Sequence, residues 1–258
     1  MSTEGVVRID AGTLFTGNGE PIENASVIIS NGLIEQAGPS SSVSTPISAQ
    51  VFEVKYLTPG LWDSHIHFWG STEGNSLART YTNPALAGAR SARDAEILLA
   101  QGITSVRCLG GIGIEIGKAV SEGTCSGPTV YGAGAMLSIP GGHGDPGILQ
   151  APASGESMTR RICSGVDDCV QAVREQIRRG AAVIKVCVSG GVMSDANVEE
   201  QQFSDNELRA IVDEAKRARR AVAAHAHGLS GIRAAVKAGV TTIEHGSRLT
   251  EEIASLMA

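Results

Sequence analysis

Apolar and polar positions follow two different rhythms along this chain, and the change falls near residue 57. Before it, short apolar runs at 6–9, 25–29 and 32–37 are separated by turn signals at Gly17-Asn18-Gly19 and Asn31-Gly32. Asn-Gly between apolar runs is a strong hairpin signal, because both residues tolerate positive φ. The Ser- and Pro-rich stretch 38–48 reads as a loop. The pattern predicts a small antiparallel β element over 1–57.

From Pro59 onward, strand-like and helix-like runs alternate. A first strand closes on His65-Ile66-His67, a helical stretch covers 84–101, and a second strand covers 102–106. A short helix through Ile116 and Val120 leads to a third strand at 128–131. The Gly/Pro-rich stretch 132–164 is longer than ordinary connections, which marks it as functional or mobile. Val166, Val170, Val173 and Ile177 then recur at helical spacing, before a fourth, continuously apolar strand at 181–188 broken by one lysine, Lys185. Ser204-Asp205-Asn206-Glu207 is a capping box that opens the next helix. A fifth strand at 221–226, a helix at 231–238, a sixth strand at 240–243 and the start of a helix at 250–256 complete the chain. Alternation of this kind predicts an α/β fold with a parallel sheet over 58–258, either a (β/α) barrel or an open doubly wound sheet. In both, chemistry collects at the C-terminal ends of the strands.

The reactive residues fall where that rule places them. His65 and His67 end the first strand and, two apart, project to one face. His225 and His227 end the fifth strand, His245 follows the sixth, and Lys185 lies near the end of the fourth. His143 sits in the long loop after the third. Neutral imidazole is the commonest metal-ligand side chain, and two on one strand face are half of a zinc site. Spacing alone does not choose between His225 and His227 as a ligand.

Composition narrows the class further. A net charge of −6 argues against nucleic acid or an anionic membrane as partner. No apolar run reaches the roughly 18 residues of a membrane-spanning helix, and residues 1–10 lack the features of a signal peptide. Five scattered cysteines are expected to be free thiols, which places the chain in the cytoplasm.

Four segments carry a resemblance: Pro-Gly-Leu-Trp-Asp-Ser-His-Ile-His at 59–67, Val-Ile-Lys-Val at 183–186, Ala-His-Ala-His-Gly at 224–228 and Ile-Glu-His-Gly at 243–246. In them the sequence resembles the amidohydrolase superfamily of metal-dependent hydrolases. Gly141-Gly142-His143-Gly144-Asp145 and Ser189-Gly190-Gly191-Val192-Met193-Ser194 resemble its branch of Xaa-Pro dipeptidases, ochratoxinase-type amidases and imidazolonepropionase-like proteins. The resemblance implies two divalent metal ions, with zinc suited to the ligand set. His65 and His67 would hold the first, His225 and His245 the second, and Lys185, carboxylated by CO2, would bridge them. His227 and His143 would take substrate-contacting or supporting roles. The implied reaction is hydrolysis of a C–N amide bond in a small acyl-amino-acid or dipeptide-like substrate by a metal-bridging hydroxide. Family members are commonly oligomeric, so a homo-oligomer is a further expectation.

The sequence also departs from that pattern. The family takes a catalytic aspartate from the eighth barrel strand, and about six of eight strands can be counted here. Asp63, Asp145 and Asp195 offer no obvious substitute. The resemblance implies a truncated, incomplete TIM-type barrel preceded by the 1–57 element as part of a composite antiparallel β-sandwich, and the alternative to an active enzyme is a catalytically inactive fragment retaining at most metal binding or self-association. Cys108 stands where relatives usually carry an acidic residue, which predicts the loss of a local hydrogen bond near the site.

Overall fold

The computed structural model describes residues 5–72, 82–145, 158–192, 194 and 196–258. The chain divides into two compact units, Met1–Leu61 and Trp62–Ala258.

The first unit is one four-stranded sheet in the order β3-β2-β1-β4, from β1 (Val6–Leu14), β2 (Ile22–Ser30), β3 (Leu33–Pro39) and β4 (Gln50–Leu57). β1, β2 and β3 form the expected antiparallel meander, with Asn31 and Gly32 both at positive φ in the tight turn. The fourth strand corrects the expectation of an all-antiparallel sandwich element. The chain crosses from β3 to the far edge and β4 pairs parallel with β1, so a single mixed layer results. Its small core of Leu14, Ala25 and Val27 is supplemented by the buried Arg8, which donates to Ser26 Oγ, Thr45 Oγ1 and the Val43 carbonyl.

The second unit is α/β. β5 (Leu61–Phe68), β6 (Ile103–Gly111) and β7 (Thr129–Gly132) form one sheet. A second runs in the order β12-β11-β10-β8-β9, from β8 (Met136–Ser138), β9 (Arg160–Ile162), β10 (Val183–Cys187), β11 (Ala221–Ala226) and β12 (Thr242–His245). Its pairs are all parallel, as is β6 with β7. A hydrogen bond from Ala182 N–H, just before β10, to the Gly132 carbonyl at the end of β7, at 2.9 Å, links the two sheets. β5 and β12 stand at sheet edges, and no described strand closes the array into a barrel.

The stretch 132–164 is not a plain loop: it contributes β8 and β9, each three residues long. Residues 146–157 of that stretch, Met193 and Asp195 lie outside the described residues.

Helices pack on the outer side: α1 (Pro84–Ala100), α2 (Gly113–Ser121), α3 (Val166–Arg179), α4 (Asp205–Arg217), α5 (Leu229–Ala238) and α6 (Glu251–Met257). The capping box forms as read, with Ser204 Oγ accepting from Glu207 N–H and the Glu207 carboxylate accepting from Ser204 N–H. One core joins Ile184, Val186 and Val188 at and beyond β10 to Leu208, Ile211 and Ala215 of α4 and Ile232 of α5. No described helix is long and apolar enough to cross a membrane.

Candidate metal centre

Every residue of β10, Val-Ile-Lys-Val-Cys, is buried. Alternation along it sends Lys185 and Cys187 to one side, and both line a cavity of about 320 Å3. The same cavity is lined by all six histidines of the chain: His65 and His67 from β5, His143, His225 and His227 from β11 and its end, and His245 from β12. Residues some 180 positions apart are thereby brought together at one end of the parallel strands, as the sequence predicts.

The imidazoles form a continuous group. Ring centroids lie 5.2 Å apart for His65 and His67, 5.0 Å for His65 and His245, and 4.7 Å for His225 and His245. His227 stacks on His245 at 4.6 Å and His143 on His225 at 4.0 Å. Ligand nitrogens of His225, His227 and His245 all lie within 4.8 Å of one another. The geometry therefore groups His227 with the other two. His245 adopts φ 71°, a left-handed conformation that is uncommon outside glycine and clusters at functional sites. Gly191 is required where it stands: a Cβ there would lie 2.6 Å from the His143 ring and 2.8 Å from His225.

Hydrogen bonds fix which ring nitrogen carries the proton. His65 Nδ1 lies 2.7 Å from Glu244 Oε2, and a carboxylate only accepts, so Nδ1 is protonated and Nε2 keeps its lone pair. His67 Nδ1–H donates to the Gly110 carbonyl at 3.3 Å, with the same result. His225 is reversed: Nε2–H donates to the Gly190 carbonyl at 3.3 Å, which leaves Nδ1 as the free lone pair. Metal-ligating histidines characteristically donate their other ring N–H to a carboxylate or carbonyl, and three rings here do so.

Electrostatics disfavour protonation of three of these rings, His225, His227 and His245. Burial, then the positive field of His143 and Lys185, pushes His225 far below the ordinary imidazole range. Burial and Lys185 lower His245 to about 4 and lower His227 as well. Lys185 is 3% exposed and its Nζ has no hydrogen-bond partner among the described residues; burial brings it down to about 8. Imidazoles with available lone pairs, beside a buried amine that meets no acceptor among the described residues, make a nitrogen-rich donor set. The donor set thus fits a divalent metal.

These shifts predict acid sensitivity. His225, His227 and His245 bind protons in the unfolded chain below about pH 6.5 but resist them when folded. The unfolded state therefore holds more protons between roughly pH 6.5 and 4, and stability rises with pH through that window. The urea midpoint of the metal-free chain is expected to fall steadily from pH 7.5 to 5; a flat midpoint would mean the rings are solvated.

Sequence reasoning assigned no role to Glu244, Arg107, Trp69, Met136 or Arg160. Glu244 is buried and accepts from His65, from Arg107 Nη2 at 2.6 Å and from Thr242 Oγ1 at 2.7 Å. Burial pushes its carboxyl up, but these hydrogen bonds and the nearby Lys185 and Arg107 charges outweigh that and hold it at about 2. Arg107 also donates to the Ser64 carbonyl and to Thr242, so it ties β5, β6 and β12 together. Trp69 stacks on His67 at 4.4 Å. Cys108 does not leave the local hydrogen bond empty: its thiol accepts from Phe68 N–H and donates to the Gly110 carbonyl, each at 3.3 Å. Asp63 accepts from His65 N–H, and Asp145 from Gly141 N–H.

Residues 56–257 match the model of the amidohydrolase family. Ochratoxinase of Aspergillus niger is 43% identical over 271 aligned positions, covering 98% of this chain and 56% of that relative. The A. niger ochratoxinase crystal structure superposes with a TM-score of 0.92, over 98% of this chain and 62% of that one. A prolidase complexed with N-methylphosphonate-L-proline is 33% identical with a TM-score of 0.87, covering 98% of this chain and 64% of its own. The chain thus spans little more than half the length of the curated relatives it matches. With the family model matched over most of its length and the histidines gathered at the strand ends, the chain belongs to the amidohydrolase family.

Proposed function

We propose that this chain carries the metal centre of an amidohydrolase that hydrolyses the C–N amide bond of a small acyl-amino-acid or dipeptide-like substrate. The observation that carries the reading is the convergence of six histidines and an unpartnered buried lysine on one cavity. We read Trp62–Ala258 as about six strands of an eight-stranded (β/α) barrel, and the first unit as part of a composite sandwich. His65, His67, Lys185, His225 and His245 would hold two divalent cations, with zinc suited to the nitrogen-rich set. His227, whose ligand nitrogen lies within 4.8 Å of those of His225 and His245 and whose Nδ1 is 2.8 Å from Ser247 Oγ, would take a supporting or substrate-contacting role. Bound divalent cations supply Lewis acidity toward a carbonyl and lower the pKa of water.

The chain's own groups prepare that chemistry. With its pKa near 8, about a tenth of Lys185 is neutral amine at pH 7, against well under a thousandth for an ordinary lysine. Neutral amine is the form that adds to CO2: the ammonium first gives one proton to solvent, an N–C bond then forms as a C–O π bond opens, a second proton leaves, and the side chain ends as a two-oxygen anion. Glu244 and the Gly110 carbonyl hold the rings of His65 and His67 with Nε2 unprotonated. His143, which lies 2.9 Å from Ser194 Oγ and stacks on His225, would contact a substrate carbonyl. Five free cysteines agree with a reducing, cytoplasmic compartment.

The test is elemental analysis of the purified chain, paired with hydrolysis of N-acyl-amino acids and Xaa-Pro dipeptides. About two zinc ions per chain, and turnover removed by a chelator and restored by zinc, are expected. Absence of stoichiometric metal would overturn the reading. Two metals without turnover would favour the alternative, a fragment that binds metal and does not catalyse.

A further inference from the structure

We propose that the rim of the second unit opposite the histidines is an interaction surface for an acidic protein segment, received by Arg178, Lys216, Arg219 and Lys237.

α3, α4 and α5 lead into β10, β11 and β12, which run parallel to one another. The C-terminal ends of the three helices therefore lie together at the strand starts, away from His225 and His245 at the strand ends. α3 packs on α4 and α4 on α5. Arg220 Nε donates to the Ala181 carbonyl at 2.7 Å and Thr241 N–H to the Val222 carbonyl at 2.9 Å, which tie the rim together.

Positive charge collects there. Arg178 and Arg179 close α3, Lys216 and Arg217 close α4 with Arg219 and Arg220 just after it, and Lys237 closes α5. These are seven of 21 lysines and arginines, in a chain of net charge −6. Three are engaged within the fold: Arg179 pairs with Glu115, Arg217 with Glu214, and Arg220 donates to backbone carbonyls. Arg178, Lys216, Arg219 and Lys237 are exposed, and their side chains make no hydrogen bond or ion pair among the described residues.

Cations in a last helical turn complement the helix dipole, which accounts for Arg178, Lys216 and Lys237 without any partner. Arg219 is different. α3 and α5 are followed by glycines in the left-handed conformation, Gly180 at φ 103° and Gly239 at φ 83°, whereas beyond α4 Arg219 takes it, at φ 57°. A side chain there carries a conformational cost that glycine avoids. A strained, exposed cation beside three other unengaged ones points to an anion outside the chain. The size of the patch selects the kind of anion. Packed helices stand about 10 Å apart, so three helix ends span about 20 Å, the length of about six extended residues. A nucleic acid duplex or a membrane surface would reach past the patch, onto a remainder more negative than the net charge. An acidic segment matches the patch in length and charge, and Arg178 and Arg219 offer forked donors to its carboxylates.

The experiment is fluorescence anisotropy of the purified chain at about 0.15 M salt. The probe is a labelled peptide of about eight residues, rich in Glu and Asp, compared with its Gln and Asn counterpart. The acidic peptide should bind about 10- to 30-fold more tightly. Lys216→Glu combined with Arg219→Glu should bring the ratio within about twofold of unity. Arg93→Glu, on the exposed surface of α1, should leave it unchanged. Arg219→Gly should weaken the acidic peptide several-fold while raising the melting temperature by about 2–4 °C, a pairing that a merely structural arginine would not give. No preference for the acidic peptide, a preference reduced as much by Arg93→Glu, or Arg219→Gly without effect on binding would each overturn the proposal. So would tighter capture of duplex DNA or anionic vesicles, which would give the rim to those surfaces. Sedimentation of an oligomer that the double substitution dissociates would make a second copy the occupant, and would overturn it as well.

Discussion

Lys185→Met is expected to make the metal-free chain more stable while removing its capacity to hold two metals. The lysine lies in a strand buried along its whole length, and its Nζ meets no acceptor among the described residues. Its pKa falls from 10.5 to about 8 on folding. Below pH 8 both folded and unfolded chains carry the proton, so the folded state bears the full penalty of about 3 kcal/mol at neutral pH. Above pH 8 the folded lysine discharges first, and the penalty shrinks until about pH 10.5. Methionine fills a similar volume with no charge to desolvate. For a unit of this size the expected rise in melting temperature is about 5–10 °C at pH 7, shrinking toward pH 10. Lys185 also depresses His225, His227 and His245, so its removal should weaken the acid sensitivity of the fold. Scanning calorimetry on chelator-treated protein, with metal counted after reconstitution, measures both effects. A melting temperature that falls, or metal content unchanged at two, would show that the amine is solvated in the native state or is no ligand. Loss of binding together with a gain in stability is the signature of a residue kept for function at the expense of the fold.

The same lysine shows why the site was legible in the sequence. A charged residue inside an otherwise apolar strand has few uses, and histidines at successive strand ends lie on a common rim in any parallel α/β arrangement. Neither inference needs a three-dimensional contact. The misses are of the opposite kind. β8 and β9 are three residues each, too short for periodicity to register inside a Gly- and Pro-rich stretch. β4 follows a loop and reads like its neighbours, and nothing local says that it lies parallel to β1 at the far edge. Glu244 and Arg107 carry no local sign of partnership, since they lie 137 positions apart. His227 could not be ranked against His225 because β11 sets both near its end, and it is the position of β12 that places His245 beside both. Arg160 and Arg161 look interchangeable in sequence; the acidic residues on α3 distinguish them only once the helix packs.

Glu244→Ala is expected to produce the largest loss of stability, about 2–3 kcal/mol, because it strands a half-buried cation and not merely a hydrogen bond. The Glu244 carboxylate takes Arg107 Nη2 on one oxygen and His65 Nδ1 on the other, while Thr242 Oγ1 donates as well. Arg107 is held in place independently, by Nε to the Ser64 carbonyl at 2.7 Å and Nη1 to Thr242 Oγ1 at 3.1 Å. It cannot swing to water without breaking both bonds. Alanine therefore leaves a guanidinium with its charge uncompensated between β5, β6 and β12, and it frees His65 to protonate either ring nitrogen. Glu244→Gln keeps the shape but loses the charge, so an intermediate destabilisation is expected, with the His65 tautomer no longer fixed. Urea unfolding at pH 7.5 gives the energies, and nitrogen chemical shifts of the labelled imidazole give the tautomer. A double-mutant cycle with Arg107→Met isolates the pair. If the cost comes from the stranded cation, removing Arg107 as well restores much of the stability lost in Glu244→Ala. Strict additivity would mean that the two side chains act separately, and that the orientation of His65 is set by β5 alone.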